Sequence, residues 1–442
     1  MIKTYKHFVF SWLCALSLLC SSGVSLHAET DEVSDDYTLK EVVILSRHNI
    51  RAPLSTTGSA LDKATPHEWF TWSSSASELS LRGGVLETEM GQYFRKWVVS
   101  EGLMEENAHP SDTDIRFYAN AKQRTIATSQ YFSSGFLPVA NVRIETNQEY
   151  DKMDPVFTPQ LTFVNDDYRK DAEAEMKKLI PDLTEEYALL SNVIDYTESD
   201  GYKNGELSDF VNNDIEFVLE ENAEPGMKGS LKTATSLSDA LVLQYYEEED
   251  PKEAAFGHDL TFDEWKSISR IKDAYGDILF TAPSICINIA HPLLEVIDSE
   301  LERSDRKFTF LCGHDSNIGS VLASLGVTDY TLSNAIESKT PIGSKLVFEK
   351  WADADGKEFI RMRLVYQSTE QLRSTPLLTL DNPPVSYVFT IDELKANEDG
   401  LYSYDEFNDF LDEKIAAYDK LKAQYGISAP APVTSVPNTG VE

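Results

Sequence analysis

The sequence predicts an α/β protein, a mixed sheet flanked by helices, with a smaller and mainly helical domain inserted in the chain. Three observations predict it. Val42 to Leu45, Ile115 to Ala119 and Phe308 to Cys312 are short apolar runs, each stopping at a polar cluster, as strands buried on both faces do. Apolar residues between these runs recur at helical spacing. From about Asp166 to Glu249 the composition turns acid-rich with a mainly helical pattern, which marks an inserted or capping unit. The chain has 442 residues, 41% of them hydrophobic, ample apolar material for a core or two. The α/β domain is expected over residues 37–147 and 266–425, and the helical one over 148–265.

In chain order, the first 28 residues read as an export signal. Lys3 and Lys6 form a basic start, Phe8 to Leu19 is mostly apolar, and Leu26-His27-Ala28 ends in a small residue suited to cleavage. The apolar run is shorter than the ~20 residues that a membrane span needs. Leu19 before Cys20 is too bulky for a lipid-attachment site, so a soluble exported protein starting near Glu29 is expected. After the acidic leader to Asp36 comes the first strand. A helix follows over Gly84 to Val99 (Val85, Leu86, Met90, Tyr93, Phe94, Trp97), then the second strand and a helix through Arg124 and Tyr131. The acid-rich segment has breaks at Pro181, Gly201, Gly205 and Pro225, and Thr261 with Glu264 makes a capping box. Past the third strand, Leu346 to Phe348 and Phe359 to Tyr366 read as a hairpin joined across Asp355-Gly356. Residues 426–442, rich in Pro, Ser, Thr and Val, read as a disordered tail.

Lys plus Arg number 39 against 74 Asp plus Glu, a formal net charge of −35. Such a surface repels nucleic acid and anionic membrane, so any anionic substrate needs a local Arg cluster to overcome the global field. Cys14 and Cys20 leave with the signal, and Cys286 and Cys312 permit at most one internal disulfide. There is no C-x-x-C pair and no His/Cys cluster at zinc spacing. Asn397-Glu398-Asp399-Gly400 with Glu406 mimics the later part of a calcium loop, but Lys395 stands where the first ligand belongs and would repel a cation. A turn at Gly400 and a helix capped at Ser403 account for that stretch instead.

The polar clusters that end the strands are Arg47-His48-Asn49-Ile50-Arg51, then Asn120-Ala121-Lys122-Gln123-Arg124, then His314-Asp315. Ligands of open α/β sheets bind beyond the carboxyl ends of strands, where helix N-termini also aim their amides. The clusters can therefore meet in one pocket, whose three Arg and two His favour a phosphate or sulfate group. A phosphomonoesterase without a metal needs donors for the equatorial oxygens, an in-line nucleophile and an acid for the departing alkoxide. Arg47, Arg51, Arg124 and His314 suit the first task. His48 suits the second, since an imidazole among guanidinium groups stays neutral and nucleophilic. Asp315 suits the third if protonated before attack, which predicts best activity in acid.

Arg-His-Asn-Ile-Arg-Ala-Pro at 47 to 53, together with Gly-His-Asp at 313 to 315, resembles the paired signature of the histidine acid phosphatases. Arg124, in Asn120-Ala-Lys-Gln-Arg-Thr, matches that family's third phosphate-binding Arg. Asn49 replaces the Gly that most members carry after the nucleophilic His. That departure is shared with the bacterial periplasmic glucose-1-phosphatases, which the chain also resembles at Thr65-Pro66-His67-Glu68-Trp69, Gly83 to Glu87, Met153-Asp154-Pro155 and Gln244-Tyr245-Tyr246-Glu247. The likeness runs on through Thr340-Pro341-Ile342-Gly343 to Tyr366-Gln367-Ser368.

The resemblance implies the histidine phosphatase fold with the helical domain over the active site, a phosphohistidine mechanism with no cofactor or metal, and a periplasmic location. It implies His48 as nucleophile, Asp315 as proton donor, and Arg47, Arg51, Arg124 and His314 as phosphate ligands. Glu224 matches an acidic residue that hangs over the phosphate pocket in the glucose-1-phosphatases, where a carboxylate would repel a second phosphate. The resembled enzymes use several disulfides that this chain lacks, which leaves the source of its loop rigidity open.

The expected activity is hydrolysis of a sugar phosphate such as glucose 1-phosphate, a small-molecule substrate. A phytase acting on inositol hexakisphosphate is the alternative among hydrolases, opposed by Asn49, Glu224 and the negative charge. A catalytically silent phosphosugar-binding protein would need neither His48 nor Asp315, and a phosphomutase would transfer the phosphate to a second hydroxyl. His67, His109, His258 and His291 show no partner pattern, and the Trp69 to Trp72 region suits either core or a sugar-facing wall.

Overall fold

A computed structural model describes residues 33–54 and 60–427. The export segment over 1–28 and the tail from 428 on lie outside the described residues.

The first sheet and its helices are β1 (Thr38–Arg47), α1 (Ala60–Lys63), α2 (Leu81–Ser100), β2 (Ile115–Ala119), α3 (Gln123–Phe136) and β3 (Ile144–Glu145). The acid-rich segment holds α4 (Asp166–Lys178), α5 (Thr184–Val193), α6 (Asp200–Lys203), β4 (Glu216–Val218), β5 (Gly226–Lys228), α7 (Ser230–Glu247) and α8 (Pro251–Ala254). Two long helices, α9 (Phe262–Phe280) and α10 (Pro283–Leu301), lead to β6 (Phe308–Gly313) and α11 (Asp315–Ser324). Then come β7 (Lys345–Ala352), β8 (Glu358–Tyr366), α12 (Thr369–Ser374), β9 (Val385–Val388), β10 (Tyr402–Ser403) and α13 (Tyr404–Gln424).

One eight-stranded mixed sheet runs in the order β10, β8, β7, β1, β6, β2, β3, with β9 beside β8. β1, β6, β2 and β3 are parallel, while β7 and β8 are antiparallel. The apolar run Val42 to Leu45 is wholly buried because helices cover both faces of the central strands. Register brings three strand ends level. Arg47 lies opposite Gly313 and Ala119 opposite Cys312, and pairing continues one residue on, from His48 N to Gly313 O (3.1 Å) and from Asn120 N to Cys312 O (3.0 Å). The three polar clusters thus emerge side by side at the carboxyl edge of the parallel strands.

α2 and α3 cover one face and approach closely through glycines. A Cβ on Gly91 would stand 2.2 Å from the Phe132 carbonyl oxygen, and one on Gly135 2.1 Å from that of Thr88. Any side chain there would push α3, and Arg124 with it, away from α2. The sheet core includes Val43, Leu45, Leu311, Ile318, Leu346 and Phe407. A second, mainly helical core gathers Tyr168, Leu190, Leu231, Leu241, Trp265 and Ile271.

Several local expectations need correction. The segment 148–265 also contains the small antiparallel hairpin of β4 and β5. The boundary expected between 265 and 266 falls inside α9, whose Trp265 and Ile271 belong to the helical core. Gly201 lies within α6 instead of breaking it. Ser403 makes no capping bond, because its backbone pairs with β8 as the end of β10. Gly426, at φ +68°, and Ile427 close α13 instead of starting a disordered tail: Ile427 N donates to Lys422 O (2.9 Å) and Gly426 N to Ala423 O (3.1 Å). The box on α9 forms as expected, with Glu264 N donating to Thr261 Oγ1 at 3.3 Å.

The stretch resembling a calcium loop is a turn: Asn397 Oδ1 accepts from the backbone N–H groups of Asp399 and Leu401 at 3.0 and 2.9 Å. Cys286 and Cys312 are free and buried. Buried ion pairs supply some of the cross-linking instead, as where Glu349 on β7 joins Arg361 and Arg363 on β8. Among the described residues no single helix is long and apolar enough to cross a membrane.

Candidate active site

A cavity of about 780 Å³ opens at the carboxyl edge of β1, β2 and β6, and His48, Arg51, Arg124, Glu224, His314 and Asp315 all line it. Arg47, 1% exposed, does not line it but lies 3.5 Å from the Asp315 carboxylate that does. Every residue that the sequence singled out for phosphate chemistry is therefore at or against one cavity. Two helices begin there, α3 at Gln123 and α11 at Asp315, and their amide ends favour an anion.

His48 is 3% exposed, and its Nδ1 lies 2.8 Å from the Asn49 carbonyl oxygen. A carbonyl can only accept, so Nδ1 carries the proton and Nε2 keeps its lone pair. Burial, then the charges of Arg124, His314, Arg51 and Arg47, hold its pKa well below the usual imidazole range. The ring is neutral and nucleophilic even in acid.

His314 is oriented through Asn120. Asn120 Oδ1 accepts from the Asp154 backbone N–H (2.9 Å), so its Nδ2 must face His314 Nε2, at 2.8 Å. His314 Nε2 is then the acceptor, and Nδ1 bears the hydrogen. That N–H stands 3.4 Å from Arg124 Nη2, two donors side by side with nothing to accept from either. An oxyanion placed between them would accept from both. Burial and Arg124 also hold His314 well below the ordinary imidazole pKa.

The three guanidinium groups differ. Arg47 donates to Glu337 Oε1 (2.6 Å) and lies 3.5 Å from Asp315 Oδ2, and Arg51 donates to Asp239 Oδ2 (3.0 Å). Arg124 has no carboxylate ion pair among the described residues, and burial with the charge of Arg51 lowers its pKa to about 10. It is the cation most in need of an anion. The Nε–H groups of all three find no acceptor among the described residues.

Asp315 is held ionised. Its side chain is 36% exposed to the cavity, and Lys272 Nζ on α9 lies 2.8 Å from Oδ2. Burial raises its pKa, but Lys272 and Arg47 outweigh burial and the net shift is well below the usual carboxylate range. Protonation of Asp315 before attack therefore needs something to offset Lys272 and Arg47.

Sequence reasoning missed Lys272, Asp239 and Glu337, which tie Asp315, Arg51 and Arg47 in place. They come from α9, α7 and the loop before β7, with no motif spacing to betray them. The only available signal was a Lys-Asp pair inside an otherwise apolar-patterned helix. Asn49 is engaged in the core beside His48. Its Nδ2 donates to Glu87 Oε1 (2.8 Å), away from the cavity, where Glu87 pairs with Lys345 (2.8 Å) and both charged residues are 0% exposed. Lys345→Met, which strands that carboxylate, is expected to cost about 3–5 kcal/mol in denaturant unfolding, with most of it recovered in the Glu87→Gln/Lys345→Met double variant. An unchanged single variant would mean that Glu87 is already neutral. Trp69 and Trp72 pack on the helical core and do not line the cavity. His67 pairs with Asp195 (2.8 Å) and stacks on Phe256, away from the site.

Residues 38–366 match the model of the histidine phosphatase superfamily, branch 2. A curated glucose-1-phosphatase of Providencia rettgeri is 36% identical over 403 residues, covering 89% of this chain and 96% of that protein. Phytase AppA of Escherichia coli is 26% identical over 400 residues, covering 85% and 91%. Among solved structures, the apo form of Hafnia alvei phytase superposes with a TM-score of 0.79 at 27% identity, covering 88% of this chain and 99% of that one.

Proposed function

The chain belongs to the histidine phosphatase superfamily, branch 2, and from that premise we propose an exported acid phosphomonoesterase that hydrolyses a sugar phosphate such as glucose 1-phosphate. Residues 1–28 are read as the signal that delivers it to the periplasm, and the helical segment from about 148 on, ending within α9, as the cap domain. The observation that carries the reading is the placement of His48, whose Nδ1 lies 2.8 Å from Asn49 O, leaving Nε2 with its lone pair at the wall of an Arg-rich cavity that holds its pKa down.

In this scheme Arg47, Arg51, Arg124 and the Nδ1–H of His314 hold the phosphate oxygens. His48 Nε2 forms a bond to phosphorus as the P–O bond to the sugar breaks, and Asp315 gives its proton to the departing oxygen. Water then adds to phosphorus, losing its proton to the Asp315 carboxylate. The N–P bond breaks, returning neutral imidazole and inorganic phosphate. The test is phosphate release from glucose 1-phosphate in acid by the wild-type chain, and none of it by the variants discussed below.

Asp315 must acquire its proton after binding. Phosphate monoesters lose their second proton near pH 6, so below that the substrate monoanion brings a proton into the site. Its charge raises the Asp315 pKa and receives the Arg and Lys donors that kept the carboxylate ionised. We expect kcat/KM to fall about tenfold per pH unit above roughly pH 6. The limb is expected to follow the second pKa of the substrate when a fluorinated sugar phosphate is used. A limb that stays in place for both substrates would sink this protonation scheme.

A phytase reading is favoured by the likeness to phytases and by the size of the cavity. Glu224 opposes it, but conditionally. Burial and the Asp315 charge raise its pKa, against a lowering by Arg124, so its charge builds up at higher pH than that of an exposed carboxylate. Discrimination against inositol hexakisphosphate is therefore expected to be weak in strong acid and to grow as the pH rises. Glu224→Gln is expected to raise the ratio of inositol hexakisphosphate to glucose 1-phosphate activity about tenfold near pH 6, and less at pH 4. A ratio unmoved at both pH values would remove Glu224 from substrate selection.

A further inference from the structure

The cavity extends well past the catalytic residues. α9 forms one wall along its length: Lys272 touches Asp315, while Asp277 and Phe280 line the same cavity farther along. At 1.5 Å per residue, Phe280 is displaced by about 12 Å along the helix axis from Lys272, more than one pyranose ring spans. A volume of about 780 Å³ falls in the upper part of the ~300–1,000 Å³ range of ligand pockets. A hexose monophosphate anchored at His48 leaves this far end empty.

The far end has its own chemistry. Tyr330 lines it, its ring fixed by Phe389 edge-on at 5.1 Å and by Lys339, whose Nζ lies 4.6 Å from the ring centroid. Phe280, half-buried on α9, adds a second aromatic surface. Asp277 has no hydrogen-bond partner for its carboxylate among the described residues, and Asp273 spends only Oδ2, on the Ser338 backbone N–H (2.9 Å). Burial pushes Asp273 up to about 7 and raises Asp277 as well. In acid Asp273 is therefore largely neutral, able both to donate and to accept. An aromatic face with neutral or weakly charged carboxyl groups suits an uncharged body with many hydroxyls, and is poorly suited to a cation.

We propose that the cavity end formed by Asp273, Asp277, Phe280, Tyr330 and Lys339 is a subsite for a second sugar ring, so that the preferred substrate is an oligosaccharide phosphorylated on its terminal ring. The inference rests on the phosphatase reading and extends it, since phosphate sits at His48 and the second ring lies on the far wall. Phe280 offers a flat apolar face to the ring, Tyr330, 7% exposed and covered by Lys339, backs that wall, and the two carboxyl groups meet the ring's hydroxyls. The chemistry at phosphorus is unchanged.

The test compares kcat/KM for maltose 1-phosphate, glucose 1-phosphate and glucosamine 1-phosphate at pH 5, in the wild type and in Asp277→Asn and Phe280→Ala. We expect about a tenfold preference for maltose 1-phosphate over glucose 1-phosphate, reduced to near parity in both variants, as expected for losing one hydrogen bond or one stacking face. Hydrolysis of glucose 1-phosphate reports on folding in the same assay. Equal rates on the two sugar phosphates in the wild type, or equal losses on both in the variants, would overturn the subsite. So would a preference for glucosamine 1-phosphate over maltose 1-phosphate. No release from any substrate by the wild type would instead overturn the phosphatase reading itself.

Discussion

His48→Ala is expected to lower phosphate release from glucose 1-phosphate by at least about 10,000-fold, because removing a covalent nucleophile removes the pathway and not merely one contact. Stability should change little, since His48 spends only one hydrogen bond, to Asn49 O. The companion measurement is direct. Incubating the wild type with radiolabelled p-nitrophenyl phosphate and quenching in alkaline detergent should trap label on the protein as phosphohistidine, and His48→Ala should carry none. Full labelling of the variant would transfer the nucleophile's role to another residue, and His314 would be the next to test, its ring centroid being 5.5 Å from that of His48.

Asp315→Asn is the second large effect, and its size should depend on the leaving group. A sugar alkoxide is a poor leaving group that needs the proton, so kcat on glucose 1-phosphate is expected to fall about 100- to 10,000-fold. A p-nitrophenolate departs without help, so the phosphorylation step on p-nitrophenyl phosphate should be nearly spared. Hydrolysis of the phosphohistidine would still lack its base, and labelled enzyme should accumulate. Equal losses in the phosphorylation step itself, with no labelled enzyme accumulating from either substrate, would mean that Asp315 acts by positioning. The neighbours make that alternative concrete: Lys272 and Arg47 both grip this carboxylate. Asparagine keeps the shape but not the charge, so Lys272 loses its closest partner while keeping Glu337 at 3.6 Å and Asp239 at 3.9 Å.

Much of the site was legible from residue types and order. An unbroken β-branched run such as Val42-Val43-Ile44 is a buried strand almost wherever it stands, and where it stops the polar cluster must lie at a strand end. Three such ends with three Arg, two His and an Asp leave few chemistries besides phosphate transfer. Caps and glycine turns were similarly local: Thr261 with Glu264, and Gly356 at φ +82° between β7 and β8. Ser403 failed as a cap because strand pairing with Phe359, far away in sequence, claimed its backbone.

The sequence by itself therefore determined the α/β class, the strand ends and which polar side chains gather there, since those follow from short-range patterning and from what each side chain can do. The tertiary structure alone decided their protonation and orientation. Lys272, 43 residues before Asp315, lies 2.8 Å from its carboxylate and favours its ionised form. Asp154, 34 residues after Asn120, fixes the amide that sets which nitrogen of His314 carries hydrogen. Asn49 was visible in the sequence, but only packing revealed that it bonds a buried Glu87–Lys345 pair. Charges and hydrogen bonds act through space over a few ångströms, and folding, not chain order, decides which groups come that close.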